Sequence, residues 1–460
     1  MAHEDSADRP GGRAVSRRSA LFRGGAVAAG VGTAALGGAA AANGLSSLGD
    51  GRVVNVRDHG ATGDGAADDT DALQAAIDAV RPTGGIVFLP PGVYLTRRLT
   101  LRSRVHLRGS GGDATVLRLR AGANSAILES EGFARLTGTR SDAGITLFSI
   151  RDLTLDGNKE QNPAGGYGLR VYGYGYEITE VIIFNCRNDG IFSEWGPTAA
   201  LAAPSHQMEA RLTAVRAHDN DGHGIAFQGP HDSMFLNCVA FENAGAGFRV
   251  AGDSTGTQMV NCHAWGIRQD VAFDLAATSV GCVNCYADLN GGVGVRISRS
   301  DCRWVGGFVL GYNESHPNPE IGVQFAPGTQ PDEPSGCVVD SRVVNCGTAA
   351  VDFGADRGLS NVRVSMFQPG ALADGGGRIA GTGRGWIGNP ASSTQVEIVQ
   401  GLGDADRNLV VRPAFDLRSQ PTPDRPSGGS VRVFAREVNG RTQLCAIFPS
   451  GAVQVMATEP

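Results

Sequence analysis

Between Gly165 and Phe353 one short pattern returns eight times, and it restricts the fold more than any other feature of the chain. The copies are Gly168-Leu169-Arg170-Val171, Gly190-Ile191-Phe192-Ser193, Gly224-Ile225-Ala226-Phe227, Gly247-Phe248-Arg249-Val250, Ala272-Phe273-Asp274-Leu275, Gly294-Val295-Arg296-Ile297, Gly322-Val323-Gln324-Phe325 and Ala350-Val351-Asp352-Phe353. Their first large apolar residues lie 22, 34, 23, 25, 22, 28 and 28 residues apart. A period of this length marks a solenoid. Each unit holds only short apolar runs, such as Met234 to Ala240, punctuated by Gly, Asn and Asp. No unit has room for a helix of ordinary length, so each is one coil of strands. Stacked coils make a parallel β-helix, in which equivalent residues of successive coils sit about 4.8 Å apart.

The period of two along a strand then assigns directions. Ile225 and Phe227 point inward, while Ala226 and Gln228 point outward. The outward column reads Arg170, Phe192, Ala226, Arg249, Asp274, Arg296, Gln324 and Asp352. That mixture suits a groove for a long polar ligand, and equally a wet surface held by a ladder of alternating charges. The position before the first apolar residue is always Gly or Ala, which predicts a tight turn with positive φ entering each strand.

The 67 glycines fit a chain with many tight turns. A net charge of −6 and a pI near 5.9 argue against a nucleic-acid partner. Nine cysteines in an exported chain normally suggest a disulfide framework. Here Cys238, Cys262 and Cys285 each follow an Asn and precede an apolar anchor by ten or eleven residues, which places them in one inward column as small apolar residues. Cys282 and Cys285, or Cys302 and a neighbour, remain candidates for pairing, and the odd count leaves at least one free thiol.

Taken in order, residues 1–42 read as an export signal. Arg17-Arg18 precedes a weakly apolar run from Gly24 to Leu36, and small residues follow at Ala39 to Ala42. The arginine pair resembles a twin-arginine signal, which exports folded proteins and leaves a secreted protein with no membrane anchor. Next come a strand at Val53 to Val56, a turn-rich loop, and a helix capped by Asp69 or Thr70, with Leu73, Ala76, Ile77 and Val80 on one face. Short strands and turns follow to Gly109. The run from Asn55 to Gly111 resembles the N-terminal part of the pectate-lyase superfamily, which includes polygalacturonase-like hydrolases and phage tailspikes. The resemblance implies an all-β fold: a right-handed, single-stranded parallel β-helix over 50–368, with the Asp69–Val80 helix closing its open end. It carries no catalytic residues. The polygalacturonases add Asn-Thr-Asp, Asp-Asp, Gly-His-Gly and Arg-Ile-Lys motifs. This chain has Gly222-His223-Gly224, with neither paired aspartates one coil earlier nor Arg-Ile-Lys, so that activity does not carry over.

The chemistry-bearing residues concentrate in the second and third copies. Asp189 and His223 fall in one column, Asp221 lies just before His223, and Glu194 ends its strand. The longest spacing, 34, holds an insertion from Trp195 to His206, and Tyr167, Tyr172, Tyr174 and Tyr176 crowd the same end. Aromatic rings beside carboxylates suit a sugar cleft. Asp189, Asp221, His223 and Glu194 are therefore the expected acid–base group of a glycoside hydrolase, which needs one protonated and one ionised carboxyl. Tyr167, Arg170, Trp195, Gln228, Arg249 and Asp274 are the expected contacts to a polysaccharide or oligosaccharide. Hydrolysis requires no cofactor. A uronate lyase on the same fold would instead use the arginine column, with Ca²⁺ bound by carboxylates. A non-catalytic glycan-binding adhesin is a further alternative. Asn188-Asp189-Gly190 and Asn220-Asp221-Gly222 are also ordinary turn sequences, in which Asn and Asp tolerate left-handed backbone. Residues 369–429 read as linkers with short strands, and 430–460 as a hairpin with a turn at Asn439-Gly440 and a third strand. Three strands are marginal alone, so this small C-terminal β unit is expected to support a homo-oligomer, a trimer.

Overall fold

The computed structural model describes residues 53–460 except 141, 199–207, 312–318, 329–333, 345, 353–362, 367–378, 381–385, 389–421, 424 and 426–430. The expected export segment, residues 1–42, and the strands expected near 396–399 and 409–411 lie outside the described residues. No helix among the described residues is long and apolar enough to cross a membrane.

The eight copies are strands of one parallel sheet. Leu169 pairs with Ile191, Ile191 with Ile225, and so on through Phe248, Phe273, Val295, Val323 and Val351. All eight of these residues are completely buried. The insertion between the second and third copies leaves this register intact, because a loop absorbs the extra residues outside the ladder. Leu99–Leu101 and Leu128–Ser130 extend the sheet at its N-terminal end, and with Ile145–Thr146 beside the first copy and Ile379–Ala380 beyond the last it has twelve strands. The other strands of each coil form a second parallel sheet of twenty strands, and the apolar core runs between the two. The architecture is a parallel β-helix.

The invariant small residue before each anchor has a different cause from the one expected. None of Gly168, Gly190, Gly224, Gly247, Gly294 and Gly322 has positive φ. A Cβ at Gly224 would sit 2.6 Å from the Gly247 carbonyl of the next coil and 2.8 Å from Asn243 Nδ2, and one at Gly190 would sit 2.7 Å from the Gly224 carbonyl. The constraint is close packing of one coil on the next. Neither Asp189 nor Asp221 has positive φ, so neither stands at a left-handed corner. The left-handed corners fall at Asn185, Asp219, Asn237, Asn261 and Asn284. The last three precede Cys238, Cys262 and Cys285 and turn them into the core, where they are 0–1% exposed. All nine cysteines are buried and free, so the expected pairing of Cys282 with Cys285, or of Cys302 with a neighbour, is absent.

Helix α1 (Thr70–Val80) places Leu73, Ala76, Ile77 and Val80 against the first coil, each 0–1% exposed. This covers apolar interior that an open solenoid end would expose to water. Asp69 is the N-cap residue, but its side chain makes no capping bond. It accepts instead from Thr62 N at 2.7 Å and Gly63 N at 3.1 Å, tying the preceding loop to the helix start, while Asp68 accepts from Thr70 N at 3.1 Å. Inside one corner, Asn220, Asn243 and Gln269 form a buried amide ladder. Asn220 Nδ2 donates to Asn243 Oδ1 at 2.8 Å, and Asn243 Nδ2 donates to Gln269 Oε1 at 3.0 Å. At the C-terminus Arg432–Val438, Arg441–Ile447 and Val453–Thr458 form a three-stranded antiparallel sheet around the Asn439-Gly440 turn.

Candidate active site

Tyr167, Asp189 and His223 occupy one column on three successive coils, linked through the backbone bonds Gly168 N to Asp189 O and Gly190 N to His223 O. The column continues as Ala246, Val271, Val293 and Ile321, which pack together as an apolar strip. The polar trio therefore stands at the head of a dry stripe. Asp189 Oδ1 accepts from His223 N at 2.7 Å, and His223 Nδ1 accepts from Ala246 N at 2.8 Å. Two glycines make room for this. A Cβ on Gly222 would fall 2.4 Å from Asp189 Oδ1, and one on Gly245 would fall 2.6 Å from His223 Nδ1.

The bond from Ala246 fixes the state of His223. A ring nitrogen that accepts an amide proton carries none itself, so the neutral ring holds its proton on Nε2 and offers it as a donor. Burial holds His223 below its ordinary value of 6.5, with the Asp189 charge acting in the opposite sense. Burial also pushes the Asp189 carboxyl above its ordinary 3.8, against the pull of the His223 amide, the His223 ring and Arg249. Tyr167 is raised as well, by burial and then by the Asp189 charge.

Beside this column runs the outward column, in register from Thr100 and Glu129 through Arg170, Phe192, Ala226, Arg249 and Asp274 to Asp352. Arg170 lies over the Phe133 ring at 4.1 Å and the Tyr167 ring at 5.0 Å, and faces Glu129 at 3.5 Å. Arg249 pairs with the buried Asp274 at 2.8 Å, while Arg296 turns to Gln324 at 3.0 Å. The expected charge ladder thus closes at its first rung only. Between Arg170 and Arg249 lie Phe192 and Ala226, three coil steps or about 14 Å from cation to cation. Phe133, on the four-residue helix α2 (Phe133–Leu136), meets Phe192 edge-on at 6.0 Å and walls this stretch. Nothing near Phe133 in the sequence marks it as part of the groove. Phe192 was legible as an outward residue, although not as the apolar floor.

Three expected site residues do other work. Although burial opposes it, Lys159, Arg187 and Arg268 hold Asp221 below the usual carboxylate range, at 2.8, 2.7 and 3.2 Å, so it stays ionised and cannot supply a proton. Glu194 accepts from Thr137 Oγ1 on one oxygen and from Gly138 N on the other, both at 2.5 Å, and clamps the loop that carries α2. Trp195 is no sugar platform. It is 1% exposed, donates from Nε1 to the Asp253 carbonyl at 3.2 Å and packs on Tyr174. Tyr172 and Tyr176 are buried too, which leaves Tyr167 as the half-exposed member of the aromatic group. Gln228 is half-buried beside Gly252. Of the insertion, Trp195 to Thr198 are described. Among the described residues no group of three or more His, Cys, Asp or Glu is placed to hold a metal ion.

A family model described as rhamnogalacturonase A/epimerase, pectate lyase-like, matches residues 53–271, a stretch that contains Tyr167, Asp189, His223 and Arg249. The A-module of mannuronan C-5 epimerase AlgE4 from Azotobacter vinelandii superposes on 73% of this chain and 96% of its own, with a TM-score of 0.51 and 22% identity. That likeness is one of fold, the parallel β-helix. Among curated relatives, alginate lyase 7 of A. vinelandii is 32% identical over 221 residues, 44% of this chain and 24% of its own. Full-length AlgE4 is 33% identical over 214 residues, 43% of this chain and 36% of its own. The chain thus spans about a quarter to a third of the length of these curated relatives.

Proposed function

We propose that this protein is a polysaccharide lyase that removes the proton next to the carboxyl group of a uronate residue and eliminates the glycosidic oxygen. One observation carries the proposal: Asp189 is the single candidate carboxyl left free in the groove, beside a neutral donating His223 and between Arg170 and Arg249. Hydrolysis calls for two working carboxyls, and Asp221 and Glu194 are both engaged elsewhere. The non-hydrolytic relatives favour the same side, so the lyase moves ahead of the hydrolase expected from sequence.

In the proposed reaction, Arg170 or Arg249 neutralises the substrate carboxylate, which acidifies the adjacent C–H. Ionised Asp189 takes the proton, and its raised pKa makes it a stronger base than an ordinary carboxylate. His223 Nε2–H hydrogen-bonds to the departing oxygen, and the Tyr167 hydroxyl, on the same column, gives that oxygen the proton it takes up. Base and donor stand on one column and so meet the sugar from the same side. That arrangement favours elimination over inversion, which needs a proton delivered to the opposite face.

The test is incubation with polymannuronate and polygalacturonate in deuterated water. Ultraviolet absorbance of a conjugated double bond, rising together with reducing ends, supports the lyase. Deuterium incorporation without absorbance reassigns the protein to epimerisation, and reducing ends without absorbance restore the hydrolase. Retention of glycan with no chemical change favours the adhesin. Secretion by the twin-arginine route is part of the same proposal. So is a trimer through the C-terminal sheet, supported by its exposed Val433, Val455 and Met456. A monomeric mass in light scattering rejects the trimer.

A further inference from the structure

A second cavity of about 570 Å³ lies on the twenty-stranded sheet, away from the column of Asp189 and His223. Its floor is one outward column of that sheet, Ile86, His106, Ser149 and Glu177. Its edge is a row of left-handed corners, Gly84, Arg104, Leu147 and Gly175, with φ of 75, 61, 56 and 59°. All four residues line the cavity. Volumes of this size are typical of small-ligand sites.

The lining has the chemistry of a sugar subsite. His106 Nδ1 and Ser149 Oγ lie 2.9 Å apart, which leaves the second ring nitrogen and further hydroxyl capacity for a ligand. Burial lowers the His106 pKa, so the ring is a neutral hydrogen-bonding group near pH 7. Leu147 is 41% exposed, an apolar surface of the kind that packs on sugar C–H groups. Glu177 is drawn toward Arg211 at 3.6 Å. The Arg104 guanidinium has no hydrogen bond or ion pair among the described residues, although its backbone is tied at both ends by bonds of 3.0 Å. An unpaired guanidinium beside the neutral His106 and Ser149, with Glu177 drawn aside to Arg211, suits a carboxylate on a sugar.

We propose that this cavity is an auxiliary, non-catalytic binding site for an acidic sugar unit, with Arg104 on its carboxylate and His106 and Ser149 on its hydroxyls. The choice of an acidic sugar rests on the uronate reading of the groove. A polymer held at both sites would be retained on the enzyme between cleavages.

The test is calorimetric titration of the full chain carrying Asp189→Asn, which binds without turnover, using a short oligomannuronate. Two binding events are expected. Adding Arg104→Asn, which suits the left-handed backbone, removes one event and leaves the other. Ser149→Ala weakens the same event several-fold. In the otherwise native enzyme, Arg104→Asn leaves turnover of short oligomers unchanged and raises KM on polymer. A single event insensitive to Arg104→Asn overturns the auxiliary site and leaves the lyase standing. Absence of any binding overturns both.

Discussion

At the scale of residues, the site depends on two groups held away from their ordinary titration. Asp189→Asn keeps an oxygen for the His223 amide but removes the base. Turnover should fall by about 10²–10⁴-fold, measured by ultraviolet absorbance. The same change should not weaken the fold. A carboxyl whose pKa is raised on folding binds its proton more tightly in the native state, so its favourable contribution is complete below 3.8 and is lost as pH rises through the folded value. The thermal stability of Asp189→Asn relative to the native chain should therefore improve as pH rises above 3.8, as calorimetry at several pH values would show. His223 has the opposite sign. Its contribution is complete above 6.5 and is lost as pH falls below that value through its folded pKa, and turnover should drop over the same acid window. Protonation at Nδ1 would set two N–H donors face to face at Ala246. The column shared by Asp189 and His223 was legible in the sequence, because it follows from the repeat. What had silenced Asp221 was not: Lys159, Arg187 and Arg268 reach it from three other coils, at separations of 62, 34 and 47 residues.

At the scale of elements, the strand entries are set by contact between coils. Gly224→Ala should cost about 1–3 kcal/mol, since its Cβ would meet a backbone oxygen that cannot move without disturbing the next rung. Equilibrium denaturation would show it, and a change below about 0.5 kcal/mol would contradict the packing account. Trp195→Ala should cost about 3–5 kcal/mol, as loss of a core residue does, and should leave oligosaccharide affinity at the groove within twofold. A surface platform would behave in the reverse way. Alternation along each strand makes the inward residues legible from the sequence alone. The burial of Trp195 is not legible there, because it depends on Asp253 and Tyr174, neither adjacent in sequence. The same holds for α2, whose position comes from Glu194 gripping its loop.

At the scale of the whole molecule, nine buried thiols line a fold that the sequence assigns to export. All nine are shielded from solvent, and burial pushes the Cys186 and Cys346 thiols up, the latter to about 12, so these two stay protonated at neutral pH. Native protein should be inert to a thiol reagent, all nine groups should react after denaturation, and a reductant should leave the melting temperature unchanged. A core of this kind would suit the proposed twin-arginine export, which carries folded proteins. The solenoid and its cap were legible throughout because nearest-neighbour stacking repeats one local rule, whereas the loops that shape the groove obey no repeat. That separation has a consequence for descent. Because the backbone ladder of each coil pairs only with the coil above and below, duplicating one coil between Arg170 and Arg249 would lengthen the track by about 4.8 Å while leaving every other rung in register. Lineages carrying this scaffold can thus change the length of polymer they grip by gene-internal duplication, independently of the residues that perform the chemistry.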